Sequence, residues 1–418
     1  MIKFDKDVLQ ALKTLEKEGF ETYAIGNCVT QTVRGVQTFD WDLTTKASAE
    51  ELKAIFPQGK FIKADQSVMR VDFTHEEDGE ETGSIMDLHI ITGPVEDELA
   101  KEVFTVQAMA DNPDRRFVDP YDGRNDIKRG LIRTIGNADE LFKKDPIRMM
   151  EAVALASEMS FDLQKDVFDG ILSNWRLLLD YDVNPIRENL ERVLTGESAG
   201  KGLKLMAESG LMAVVLGEEV SKKMSHNDMK MFEVLCENIQ KTRPVTLRRI
   251  GLLYTCLGEK AGLAAIERLN FPPEEKVHLV DAMTYLIKIQ FLSDPIKFKR
   301  FLYEIGMDRY NYLHNLGKAQ RIVYDYTTLK VESRNIAMQQ IVSGKEAVFV
   351  EDLVIDANDI MEAGITDDPE KAEKLLHSVV ALVHKNPNNN HRETLLKYAK
   401  KYSKNKLAEQ LRYVNWFK

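Results

Sequence analysis

Apolar residues recur at two different periods along this chain, and the change from one to the other divides it. In residues 5–18, "DKDVLQALKTLEKE", Val8, Leu12 and Leu15 fall at helical spacing behind Asp5, a candidate cap. "ETYAI" reads as a strand running into a glycine turn, and "CVTQTVRG" as a short helix ending at Gly35. "FDWDLTT" alternates, sending Asp40 and Asp42 to one strand face and Trp41 and Leu43 to the other. "ASAEELKAIFP" is an amphipathic helix closed by Pro57. "SVMRVDFTH" and "GSIMDLHII" are strands joined by the acidic turn "EEDGEETG". From Asp145 the period is helical almost throughout. "DPIRMMEAVALASEM" opens this part, with Asp145 expected at the N-cap and Pro146 at the first helical position. Helical stretches follow at 201–216, 228–240, 247–265, 274–289 and 295–303. After a looser joint near 325–335, the last helices are expected at about 333–343, 369–384 and 392–412. The fold class is therefore α+β: an α/β head followed by a long all-α part.

A length of 418 residues is too great for one ordinary core, so about two to four domains are expected. No apolar run approaches the roughly 20 residues of a membrane span, and "MIKFDKDVLQ" does not read as a signal peptide. Cys28, Cys236 and Cys256 are far apart and odd in number, giving neither a disulfide framework nor zinc spacing; a cytoplasmic location is expected. A net charge of −10 opposes a protein coated in nucleic acid but leaves room for a local basic groove.

Two carboxylates on one strand face, ~7 Å apart by strand rise, can share divalent metal ions. Mg²⁺ takes hard oxygen ligands and leaves positions for water and substrate phosphates. The glycine turn before the pair would let backbone N–H groups approach a triphosphate. In "IMDLHI", Asp87 falls on the face opposite Met86 and Leu88 and is a candidate third carboxylate. A D-x-D pair also occurs on ordinary solvated strands; what distinguishes this one is its context of strand, glycine turn, helix and "DWDLTT".

That order resembles the class II tRNA nucleotidyltransferase / poly(A) polymerase family, the enzymes that add CCA to tRNA 3′ ends. The family's G-G-x-V-R-D … D-x-D-L-x-T motif is matched by "GNCVTQTVRG" and "DWDLTT", and its R-R-D-F-T-I-N-A-M stretch by "KEVFTVQAMA". "FVDPYDGRNDIKRGLIRTIGNADELFKKDPIRMMEAV", "NPIRENLERVLTGESAGKGLKLMAESGLM" and "IDANDIMEAGI" extend the match nearly end to end. The resemblance implies a nucleotidyltransferase (polymerase beta-like) head at 1–138, a base-recognising neck at 139–216, a helical body at 217–325 and a tRNA-binding tail at 326–418. It implies transfer of CMP or AMP from CTP or ATP to a tRNA 3′-hydroxyl with Mg²⁺. Asp40 and Asp42 would be the catalytic metal ligands. Gly26, Asn27 and Thr44 would lie by the nucleotide, and Asp145 and Arg148 would face its base, as in the family's E-D-x-x-R motif. Asp145 fits a helix N-cap equally well.

Several positions depart from the pattern. Asn27 replaces a small turn residue, and Thr30 and Gln31 replace the Arg-Asp pair. Lys101, Glu102 and Val103 stand for Arg-Arg-Asp, Gln107 for Asn, and Lys144 for the motif's Glu. Glu151 and Ala154 stand where the neck carries arginines, and the flexible loop is shortened to "TGPVEDEL", compatible with a CC-adding activity. Each charge-assisted hydrogen bond lost is worth about 1.5–3 kcal/mol, so the alternative is a catalytically impaired pseudoenzyme that binds RNA. Lys397, Lys400, Lys401, Lys404 and Lys406 would grip tRNA phosphates or simply line a solvated helix face. Tyr254-Thr255 stands where some relatives carry His-Asp, and His226 and Asp228 read as structural, so no phosphodiesterase activity is expected. The sequence leaves the oligomeric state open.

Overall fold

A computed structural model describes residues 3–77, 80–325, 331–344 and 346–404. The chain forms two compact units, residues 1–249 with 267–270 and residues 250–266 with 271–418.

The first unit begins with α1 (Lys6–Lys17), capped by Asp5, whose side chain accepts from the Asp7 N–H at 3.0 Å. Then come β1 (Thr22–Ile25), α2 (Asn27–Arg34), β2 (Asp40–Thr45) and α3 (Ala49–Ile55). Gly35 ends α2 at φ +77°, a left-handed conformation that glycine adopts without penalty. Ser48 and Glu51 form a reciprocal capping box at the start of α3. Next are β3 (Lys60–Phe61), β4 (Val68–Asp72), β5 (His75–Glu77), β6 (Glu80–Thr82) and β7 (Ile85–Ile90). After them come α4 (Val95–Leu99) and β8 (Ala110–Asp111).

A six-stranded sheet has the order β3-β4-β7-β2-β1-β8. The β2–β7 pair is parallel; β1–β2, β1–β8, β3–β4 and β4–β7 are antiparallel. Trp41, Leu43, Met86, Leu88, Met69 and Val71 alternate onto one face and pack with Val8, Leu12 and Leu15 of α1 in the head core. Phe4 stacks on Trp41 at 5.6 Å. Alternation thus leaves the opposite face of β2 and β7 open. The acidic turn expected between β4 and β7 contains a further ladder: β5 and β6 pair antiparallel from His75↔Thr82 to Glu77↔Glu80. The expectation underestimated the turn because period-2 patterning is hidden in a stretch that is polar on both faces.

Helices dominate the rest of the unit: α5 (Gly123–Arg129), β9 (Leu131–Ile132), α6 (Ala138–Lys144), α7 (Arg148–Met159), β10 (Asp162–Leu163), α8 (Lys165–Asn174), α9 (Val183–Thr195) and α10 (Ala199–Ser209). Helix α7 does not start where expected. Its N-cap is Ile147, without a side-chain bond, and Asp145 ends α6 at φ −140°, ψ 89°. Pro146 disfavours the helical region for the residue before it, so Asp145 is extended. The helix expected at 201–216 breaks at Gly210, φ +90°.

In the second unit the helices Pro273–Gln290, Pro295–Ile305, Val331–Val342, Pro369–Lys385 and Arg392–Ser403 lie on the expected spans, and Met307–Tyr324 is a helix that the periodicity does not predict. The stretch expected at 247–265 is two helices, Thr246–Thr255 and Glu259–Arg268, parted at Gly258, φ +80°. Part of the joint near 325–335 and the end of the last expected helix, with Lys406, lie outside the described residues. Ile355, Ile360, Leu375, Leu376, Val379, Val383 and Leu395 form the core of its C-terminal end.

Candidate active site

The open sheet face carries a row of charge. Asp40 is exposed and Asp42 half-buried, while Trp41 and Leu43 between and beyond them are buried. Asp42 is the register partner of Asp87 across the parallel pair, and Asp87 that of Arg70 across β4–β7. Partners in register share a face, so Asp42, Asp87 and Arg70 stand side by side on neighbouring strands about 4.8 Å apart. Arg70 forks onto Asp87, Nε to Oδ1 at 2.8 Å and Nη2 to Oδ2 at 2.7 Å. That carboxylate, with smaller contributions from Asp40 and Asp42, pushes the Arg70 pKa up. His89 Nε2 lies 3.1 Å from Asp42 Oδ1. Sequence reasoning missed both Arg70 and His89. His89 has a signal, since it is two residues from Asp87 and so on its face; Arg70 needs the strand pairing to place it.

Gly26 sits directly after Ile25, the β1 partner of Asp42, so the glycine turn adjoins the carboxylates. It is buried, at φ +73°, ψ −137°, and immediately precedes α2, whose first residue Asn27 is exposed. No side chain caps this helix end, which leaves its first N–H groups as donors for an anion. Thr44 is buried, its hydroxyl donating to the Tyr23 carbonyl at 3.4 Å. Thr30 is also buried, its hydroxyl directed to the Gly26 and Val106 carbonyls. Gln31 accepts from Arg34, whose Nη2 holds both Glu197 oxygens at 2.9 Å.

Asp145 and Arg148 are brought together. Arg148 Nε donates to Asp145 Oδ2 at 2.9 Å and Nη1 to Glu151 Oε2 at 2.7 Å; the Tyr181 hydroxyl donates to Asp145 Oδ1 at 3.3 Å. Burial, reinforced by Asp145, pushes the Tyr181 pKa up. Burial raises the pKa of Glu102; Arg148 opposes the rise, and the negative charges of Asp42 and Glu151 add to it. Lys101 instead pairs with Glu98 at 2.6 Å.

Lys397, Lys400, Lys401 and Lys404 lie far from these residues in sequence, in the second unit. All four are exposed on or just after the helix Arg392–Ser403, at a spacing that aligns them on one side. Asp228 and Ser225 form a capping box at the start of the helix His226–Asn238, whose first residue is His226.

No family model matches the chain. It is 30% identical over 221 residues to the CCA-adding enzyme of Geobacillus stearothermophilus, covering 51% of this chain and 55% of that one. It is 29% identical over 218 residues to the CC-adding tRNA nucleotidyltransferase of Halalkalibacterium halodurans, covering 52% and 56%. Over about half of its length the chain is thus similar in sequence to CCA- and CC-adding enzymes. The fold likeness runs end to end. The Bacillus stearothermophilus CCA-adding enzyme solved with CTP superimposes with a TM-score of 0.75 at 21% identity over 96% of this chain and 97% of that one. The Thermotoga maritima CCA-adding enzyme solved with tRNA gives 0.60 at 18% identity over 95% of each. In sequence, the chain spans about half the length of the curated relatives it matches. The helical, sheet-poor architecture found above is thus that of the CCA-adding enzymes, as the sequence motifs imply.

Proposed function

We propose that this chain is a tRNA 3′-end nucleotidyltransferase of the CCA- or CC-adding type. It would transfer CMP or AMP from CTP or ATP to an RNA 3′-hydroxyl and release pyrophosphate. The observation that carries the reading is the pair Asp40 and Asp42 on the open face of β2, beside the uncapped start of α2. Their hard oxygens suit Mg²⁺, with water and phosphate completing the shell. Among the described residues no group of three or more His, Cys, Asp or Glu is placed to hold a metal ion, and the proposed holder is this pair of carboxylates. When bound, two Mg²⁺ ions would lower the pKa of the 3′-hydroxyl and neutralise the triphosphate. Gly26 and Asn27 would bring backbone N–H groups to the phosphates. Asp145 and Arg148 would present acceptors and donors to the base edge. The lysines from 397 to 404 would bind tRNA phosphates, and we propose the head, neck, body and tail divisions at 1–138, 139–216, 217–325 and 326–418.

The geometry of Thr30, Arg34 and Glu151 favours a second reading, an RNA-binding relative without turnover. Thr30 is buried, and Arg34 and Arg148 are committed to Glu197 and Glu151. Incubation with Mg²⁺, labelled CTP or ATP and tRNA lacking its CCA end separates the two. Incorporation that disappears in Asp40→Ala supports the enzyme; tight tRNA binding with no incorporation supports the alternative.

A further inference from the structure

Positive charge opposite the departing phosphates is a requirement of the proposed transfer, and the motif positions near the glycine turn do not supply it. Thr30 is buried, Arg34 is forked onto Glu197, and Lys101 is paired with Glu98. Arg148 lies between Asp145 and Glu151. Arg70 has the placement these residues lack. Its strand position puts it on the carboxylate face, in register with Asp87 and through it with Asp42. Its side chain is 49% exposed, so a ligand can reach it. A guanidinium carries five donors in a fixed fork. Asp87 takes Nε and Nη2, and Nη1 has no hydrogen-bond partner among the described residues. The long side chain is thereby held in one direction before any ligand arrives, which lowers the entropy lost on binding.

We infer that Arg70 is the phosphate-binding cation of this site. It contacts, through Nη1, the phosphates of a nucleoside triphosphate bound over Asp40 and Asp42. Asp87 is then a positioning residue for Arg70 and stands outside the metal ligand set. The inference rests on the reading of Asp40 and Asp42 as metal holders and adds a cation of the protein's own to the charge of the metal ions.

Calorimetric titration of the full chain in Mg²⁺ with CTP, cytidine and inorganic pyrophosphate tests it. Arg70→Gln is expected to weaken CTP and pyrophosphate about tenfold and to leave cytidine unchanged. Arg70→Lys, a point charge without the fork, recovers part of the loss. Equal CTP and pyrophosphate affinity in wild type and Arg70→Gln overturns the inference, as does an equal loss for cytidine. The Asp40→Asn/Asp42→Asn variant isolates the underlying reading. If it binds CTP as wild type does, the carboxylate pair is not the metal holder, whatever Arg70 does. A wild-type protein that binds none of the three overturns both.

Discussion

Asp145 holds Arg148 by its Nε at 2.9 Å, three residues along the chain, instead of capping the helix that Arg148 begins. A cap carboxylate would be turned to its own backbone; this one is fixed by Arg148 and the Tyr181 hydroxyl. If the pair reads a base edge, Asp145→Asn exchanges an acceptor for a donor. The expected result is a loss of about tenfold or more in discrimination between CTP and UTP. Single-nucleotide addition measured with each of the four triphosphates checks it.

Gly26 takes φ +73°, ψ −137°, a conformation L side chains rarely adopt, while a Cβ built there meets nothing within 4 Å. The penalty for Gly26→Ala is therefore backbone strain without steric clash, about 1–3 kcal/mol. Chemical denaturation should show that loss. Relief of the strain by shifting the turn should also weaken CTP binding.

His384 is buried in the second unit, its Nε2 2.8 Å from the Val348 carbonyl oxygen. Burial, with Lys299 and Arg300 adding to it, lowers its pKa to about 4; the Val348 carbonyl and Asp352 pull the other way. The unfolded chain, with a pKa near 6.5, binds the proton first as pH falls. The contribution of neutral His384 is thus complete above pH 6.5 and lost as pH drops toward 4, at most about 3 kcal/mol. Melting temperatures between pH 7 and 4.5 should decline, and His384→Gln should flatten the decline.

The lysines at 397, 400, 401 and 404 are exposed on one side of their helix. Replacing two of them with Gln should weaken binding of a tRNA uniformly across sequences. The slope of log affinity against log salt should fall by about one for each phosphate left without its lysine. A slope that stays fixed would assign these residues to solvent alone.

Much of the fold is written locally. Asp5 announces α1, Gly35 ends α2, and the parity of "DWDLTT" separates Trp41 and Leu43 from the two aspartates. Parity also decides that Asp87 and His89 share a face. It does not decide which strand lies alongside, so Arg70, 17 residues from Asp87, is invisible as its partner until the strands are paired. The link from Arg34 to Glu197 spans 163 residues and has no local signature. At Asp145 the local signal is double: Asp-Pro before an apolar period fits an N-cap and an extended junction equally well. Tyr181 and Arg148 resolve it in favour of the junction.

The division of the chain into two units has a practical consequence. Residues 267–270 belong with the first unit although residues on both sides belong to the second: Arg268 Nε donates to the Val214 carbonyl at 2.7 Å, and Arg187 Nη1 to that of Asn270 at 2.6 Å. The polypeptide therefore passes between the units three times. No single cut yields both halves intact, and a fragment stopped at residue 249 surrenders the short piece on which Arg187 closes. Dissecting this protein into independently expressed parts calls for a rejoined or permuted chain.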